Sequence, residues 1–262
     1  MGLINFAHGE LLMVGGYALV FVPSAPLGIR IFILLVVVTV FALGMERSAF
    51  RLVRGASIET LLVTSFSVSF LLQSLAILFI GARPRSIGVL RAFSGSLTVG
   101  SVNVRKLDLL TIAVTAVLLS SLVLFLGKMR LGLQMRAAAE NFFVTRALGV
   151  RANTVIATAF ALSGILAGVA SLIFFASSGI VHPAVGPTPV LMGFIAAIIG
   201  GLGSLPGAVA GGYVLGAVTV ILQVTLPPEL RSYRDTFVFL AVVAMLVARP
   251  QGIVASRGTR TV

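Results

Sequence analysis

Asn5, His8 and Glu10 stand within six positions of each other, directly in front of an apolar run, and are the residues of this chain best placed for chemistry. An amide, an imidazole and a carboxyl at that spacing could cap a helix, hold a proton or meet a charged ligand. Such groups are costly near membrane depth unless they face protein or water. With almost nothing ahead of them, the simplest reading is a solvated N-terminus. The other acids, Glu46, Glu59, Asp108, Glu140, Glu229 and Asp235, all lie in or beside polar connections. The second histidine, His182, sits in the proline-rich stretch SSGIVHPAVGP and reads as a turn residue. There is no cysteine, no HExxH and no acid cluster, so neither a catalytic set nor a metal-ligand set is expected. No GxxxxGK[ST] is present, so the chain has no recognisable loop for ATP phosphates.

The elements that carry these residues are apolar. Of 262 residues, 58% are hydrophobic and 10% charged, with mean hydropathy +1.15. A soluble domain carries about a quarter charged residues. The composition implies an all-α, polytopic membrane bundle, read as one transmembrane domain over 1–262. At about 20 residues per crossing, apolar runs fall at Leu11–Val22, Ile31–Met45, Leu61–Ile80, Leu109–Leu126, Thr154–Ala176, Val190–Ile199, Ala208–Leu226 and Thr236–Ala248. The first and sixth are short, as in discontinuous helices around a pathway. The opening MGLINFAHGE lacks the basic region of a secretory signal.

A net charge of +12 raises nucleic acid as a partner, but the basic residues sit between apolar runs and Trp is absent, so no stacking surface accompanies them. They read instead as membrane flanks. Alternation places Glu46–Ser57, Lys128–Arg151 and the tail 249–262 on one face, the more basic one, which is expected to be cytoplasmic.

The longest of these connections is organised. In KMRLGLQMRAAAENFFVTRALGVR, residues Met135, Ala138, Ala139, Phe142, Phe143 and Ala147 suggest the apolar face of one short helix between Met135 and Leu148. Arg136, Glu140 and Arg146 fall off that face, and Gly149 marks a C-terminal stop after Leu148. The pattern suits either a partner protein or a lipid surface.

Glycines form the second organised feature. Gly203, Gly207 and Gly211 recur every fourth residue, as do Gly164 and Gly168, and Gly212 and Gly216, a spacing that lets helix backbones approach in lipid. Pro206 within GGLGSLPGAVAGG predicts a turn or re-entrant bend. LLMVGGYALV and GAVAGGYVLG share a GGY core, a faint internal echo.

Taken together, INFAHGELLMVGGYA, ERSAFRLVRGAS, LQMRAAAENFFVTRALGV, GFIAAIIGGLGSLPGAVAGGYVLG and RDTFVFLAVVAMLVARPQGI resemble the LivH-type permease of branched-chain amino acid ABC importers. The likeness runs over essentially the whole chain, with NFAHGE and RPQGI its specific parts. It implies a bacterial inner-membrane subunit moving branched-chain or related small amino acids, with urea or amides as the alternative cargo. It further implies a heterodimer with a second permease, two cytoplasmic ATPase subunits that bind the ATP, and a periplasmic or lipid-anchored substrate-binding protein. Arg136, Ala138, Glu140, Arg146, Leu148 and Gly149 match the segment that couples to the ATPase. Asn5, His8, Glu10, Gly203, Gly207 and Gly211 are assigned to the pathway and its packing. The family carries an apolar helix ahead of NFAHGE, so one is expected upstream, with His8 paired to Glu10 and Asn5 as a cap in the longer form. Without it, the stretch is expected frayed or facing a gap. A secondary transporter or channel, the rival from another class, would want an ion-coupling carboxylate inside a span, and only Glu10 comes near.

Overall fold

The computed structural model describes residues 5–90, 93, 95–99, 102–201, 203–248, 252 and 253. The tail arginines Arg249, Arg257 and Arg260 and the opening Met1–Ile4 lie outside them. Every apolar run is a helix. In chain order these are α1 (Glu10–Phe21), α2 (Leu27–Met45), α3 (Ile58–Ile80), α4 (Lys106–Lys128), α7 (Ala152–Ser178), α8 (Pro187–Gly200), α9 (Leu205–Thr225) and α10 (Arg234–Ala248), with α5 (Arg130–Glu140) and α6 (Phe142–Ala147) in the long polar connection. Among the described residues five helices are long and apolar enough to cross a membrane, those of Leu27–Phe50, α3, α4, α7 and α9. The segments Phe6–Phe21 and α8 are apolar but shorter.

The chain divides into two units, Met1–Thr188 and Pro189–Val262. The first is built on α1, α2 and α7. Buried residues recur on α2 at Arg30, Leu34, Val38, Ala42 and Met45, close to the four-residue step that lines one helix face. Small residues of α7 receive that face. A side chain at Gly164 would meet Ala42 Cβ and Thr39 Cα, both at 2.9 Å, and one at Gly168 would meet Leu35 at 2.9 Å. In lipid such close packing substitutes for the hydrophobic drive between helices. On α1, Gly15 lies against Ser171 and Val38, and Gly16 against Phe175 and Val181.

The helix ends follow their sequence signals. Ser57 caps α3 by accepting from the Thr60 N–H, while Gly81 (φ +101°) and Gly179 (φ +69°) end α3 and α7. At the far end from the 128–151 connection, β1 (Arg85–Ser86) pairs antiparallel with β4 (Ile180–Val181), and Ile87 and Val89 are buried in the core beside Val181. The Arg30 guanidinium donates to the carbonyl of Gly88 at 3.1 Å, tying this strap to the start of α2. A second hairpin, β2 (Ser96–Val99) with β3 (Val102–Arg105), precedes α4.

The second unit packs α8, α9 and α10 around Ala196, Ile199, Leu215, Val238 and Val242. Ser204 caps α9 and Pro206 occupies its first turn, so the bend predicted around Pro206 lies just ahead of it, at 201–204.

Candidate coupling surface and interior polar cluster

The polar connection holds two helices, where the sequence predicted one. Met129 ends α4 in extended backbone and α5 starts at Arg130, turned back so that Gly132 packs on the backbone of Phe125 and Leu126. The helix then breaks at Asn141, whose extended backbone (φ −150°) ends α5 and whose Oδ1 accepts from the Val144 N–H at 3.0 Å. Asparagine is a favoured N-cap, so the break had a signal in the sequence. It rotates the faces relative to a continuous helix. Ala138 and Thr145 point inward, whereas Phe143 is 85% and Leu148 80% exposed, with Val144 beside them. The predicted apolar face is therefore corrected: Ala138 stays on the buried side, but Phe143, Ala139 and Ala147 face out. Arg136, Glu140 and Arg146 are exposed, as their positions off that face required.

Gly149 ends α6 with φ +85°. Its N–H donates to the Arg146 carbonyl at 3.0 Å, and the Val150 N–H donates to Thr145 at 3.3 Å. This paired closure needs the left-handed conformation that only glycine takes without strain.

A second connection joins this region. Glu46, buried at the end of α2, forms an ion pair with Arg54, and Arg54 also donates to Asn153 Oδ1 at 2.5 Å, at the start of α7. The 46–57 and 128–151 connections therefore lie at the same end of the first unit, as the alternation of runs required. Sequence reasoning placed Glu46 and Arg54 only as loop charges. Nothing local could have paired Arg54 with a residue 99 positions away.

The N-terminal cluster reverses its expectation. Over the described residues the stretch is neither frayed nor solvated. Phe6–Gly9 forms a 3-10 turn, and Phe6 stacks on Phe66 with ring centroids 4.3 Å apart. Glu10 is fully buried, and its Oε1 accepts from Ser69 Oγ at 2.7 Å and Gln73 Nε2 at 2.8 Å. His8 Nδ1 lies 3.2 Å from Ser163 Oγ, so His8 and Glu10 each pair with another helix and not with each other. Asn5 occupies the cap position of the 3-10 turn without a side-chain bond; its Oδ1, like Glu10 Oε2, is buried without a protein partner. The reason for the reversal is that α3 and α7 carry hydroxyls and an amide inside runs that otherwise read as apolar.

Depth follows from helix geometry. Ser69 is the central residue of the 23-residue α3, about 16 Å from either end at 1.5 Å per residue. Glu10 therefore sits near the middle of the span, and α1, with 12 residues, reaches from there to one face only.

Of the glycines, Gly207 and Gly211 pack as predicted. A side chain at Gly211 would run into the Ala196 carbonyl and the Gly200 backbone, and one at Gly207 into the Gly200 carbonyl. Gly203 does not pack: nothing lies within 4 Å, and its φ of +91° makes it a turn residue. Gly212 and Gly216 face open space. The GGY echo also fails as an equivalence, since Tyr17 is buried and Tyr213 exposed. Among the described residues no group of three His, Cys, Asp or Glu side chains gathers that could hold a metal.

Comparison with known proteins adds a whole-chain likeness. The profile of the family described as "Branched-chain amino acid transport system / permease component" matches residues 1–248. The high-affinity branched-chain amino acid transport system permease protein BraD of Pseudomonas aeruginosa is 31% identical over 97% of this chain and 86% of its own length. LivH of Salmonella typhimurium, of the same description, is 30% identical over 97% of this chain and 86% of its own. A probable branched-chain amino acid transport permease of Methanocaldococcus jannaschii is 26% identical over 95% and 82%. No solved structure matches.

Proposed function

The chain belongs to the family of permease components of branched-chain amino acid transport systems, and from that premise we propose that it carries branched-chain amino acids across the bacterial inner membrane. It is a multi-pass membrane transport subunit, not an enzyme, and works with other components of an ABC importer. The proposed assembly pairs it with a second permease, two cytoplasmic ATPase subunits that bind the ATP, and a substrate-binding protein on the outer side. The tail 249–262 and the 128–151 connection then face the cytoplasm.

The observation that carries the coupling role is the exposed, charged and apolar surface of α5 and α6, set outside the spans on a connection between α4 and α7. Phe143, Val144 and Leu148 offer an apolar contact, Arg136, Glu140 and Arg146 fix its register, and Gly149 holds the end of α6. ATP-driven closure of the ATPases would move this surface, and α7 would carry the displacement into the bundle. At mid-depth, Asn5, His8 and Glu10 brace the polar start of α1 beside the pathway, as half-length helices do in transporters. Gly207 and Gly211 close the α8–α9 hairpin, and Gly203 turns it.

Reconstitution of the five-subunit importer in proteoliposomes tests the reading. ATP-dependent uptake of leucine, isoleucine or valine, dependent on this subunit, is expected. Phe143→Asp with Leu148→Asp should abolish ATPase co-purification while leaving the permease in the membrane. Unchanged co-purification, or uptake confined to solutes without an amino-acid backbone, would overturn the docking surface and the substrate respectively.

A further inference from the structure

Between α4 and α7 runs an open groove of about 580 Å³, walled by Leu118, Leu122 and Phe125 on one side and by Leu162 and Ile165 on the other. Among the described residues its one charged lining residue is Lys128, at the end of α4. The groove's length is set by α4. Ten residues separate Leu118 from Lys128, about 15 Å at 1.5 Å per residue, half of a hydrocarbon core of about 30 Å. On α7 the lining residues Leu162, Ile165 and Leu166 lie ten to fourteen residues from Ala152, about 15–21 Å from the start of that helix. The groove is thus apolar over one leaflet and cationic at the membrane surface. Arg130, two residues beyond Lys128, is also exposed there, and among the described residues lining the groove there is no acid.

We propose that this groove is a binding site for one anionic phospholipid of the leaflet on the Lys128 side, with an acyl chain between α4 and α7 and the phosphate at Lys128. Charge and length together select this occupant. An apolar wall that ends in a cation at the membrane surface matches an acyl chain below an anionic headgroup, whereas a helix of another subunit has no need of that cation. The site also lies at the elbow where α4 hands over to α5, because Met129, a lining residue, is the residue between them. A lipid there would wedge the base of the α5–α6 surface, so its occupancy would bear on the motion of that surface.

Native mass spectrometry of the assembled importer reads the site directly. The complex, stripped in detergent, is titrated with dioleoylphosphatidylglycerol or dioleoylphosphatidylcholine. One basic side chain near the membrane surface confers about fivefold preference for an anionic headgroup, so the wild type should retain phosphatidylglycerol about fivefold better. Lys128→Gln should bring the two lipids to parity. Ile165→Trp, at a half-exposed groove position, should remove one bound lipid of either kind, whereas Val117→Trp, exposed on α4 but outside the groove, should remove none. The chain has no native cysteine, so Ile165→Cys can carry a benzophenone maleimide as a unique label. A photo-adduct with the mass of a phospholipid supports the site. An adduct with the second permease, or equal retention of both lipids by wild type and Lys128→Gln, overturns it.

Discussion

Replacing Gly211 and its neighbour Gly212 with leucine separates helix packing from helix propensity. Both lie inside α9, so both variants gain roughly 0.8 kcal/mol of intrinsic helix preference over glycine. Their surroundings differ. At Gly212 nothing stands within 4 Å of a new Cβ. At Gly211 the Cβ would overlap the Ala196 carbonyl and lie 2.6 Å from the Gly200 N and 3.0 Å from its Cα. These are backbone atoms that cannot rotate away, so α8 and α9 would have to part, and overpacking of this kind costs about 1–3 kcal/mol. Propensity cancels in the comparison, leaving Gly211→Leu about 2 kcal/mol less stable than Gly212→Leu. For a chain of this size that is roughly 5 °C in Tm. The assay is thermal unfolding of the detergent-solubilised permease complex, followed as loss of the monodisperse peak, with uptake in proteoliposomes alongside. Equal loss of Tm in the two variants would refute the packing argument, and so would a Gly211→Leu protein as stable as wild type.

Three further outcomes are expected. Asn141→Ala should cost about 1 kcal/mol of helix capping, read as faster amide exchange over Phe142–Thr145, while Asn141→Asp should keep wild-type protection; identical exchange in all three would remove the cap. Gly149→Val should strain the left-handed turn by about 1–2 kcal/mol and leave ATP hydrolysis running without matching uptake. Uptake per ATP equal to wild type would show that this turn does not govern coupling. Glu10→Ala should leave the Ser69 and Gln73 donors without their acceptor and lower stability by about 1–3 kcal/mol, with Glu10→Gln closer to wild type. In a double-mutant cycle with Ser69→Ala the two losses should fall short of additivity, and strict additivity would mean that the hydrogen bond contributes nothing.

The long apolar runs and the face on which the polar connections emerge were legible, because bilayer length and charge act locally. Each helix end with Ser57, Gly81, Gly149 or Gly179 carried its own marker. The failures share a cause. Gly203 and Gly211 look equivalent by spacing, yet one turns the chain and the other admits a backbone, a difference set by which residues stand opposite. The run Met135–Ala147 scored as one amphipathic helix because periodicity ignores a mid-run cap, and Asn141 broke it. The N-terminal cluster looked solvated because its partners, Ser69, Gln73 and Ser163, are 59 to 155 positions away in segments whose mean character is apolar.

Those distant partners give α7 a particular place. An unpaired charge at the centre of a membrane is costly, so Glu10 can remain there only while α3 keeps Ser69 and Gln73 against it. The 3-10 turn ahead of it is held in the same way by α7, through Ser163 on His8, and two turns further on Ser171 donates to the Leu12 carbonyl of α1 at 3.0 Å. At its other end α7 begins with Asn153 on Arg54, directly after the α5–α6 surface. One 27-residue helix without a proline therefore contacts both the polar connection and the mid-membrane start of α1. From Asn153 to Ser163 is about 15 Å along its axis, and a helix transmits axial displacement over that length without a joint. Under the proposed coupling, α1 is directly exposed to movement of the loop, since hydrogen bonds to α3 and α7 hold its mid-membrane start. The polar residues that appeared misplaced in front of an apolar run are then the bonds through which that movement reaches the interior.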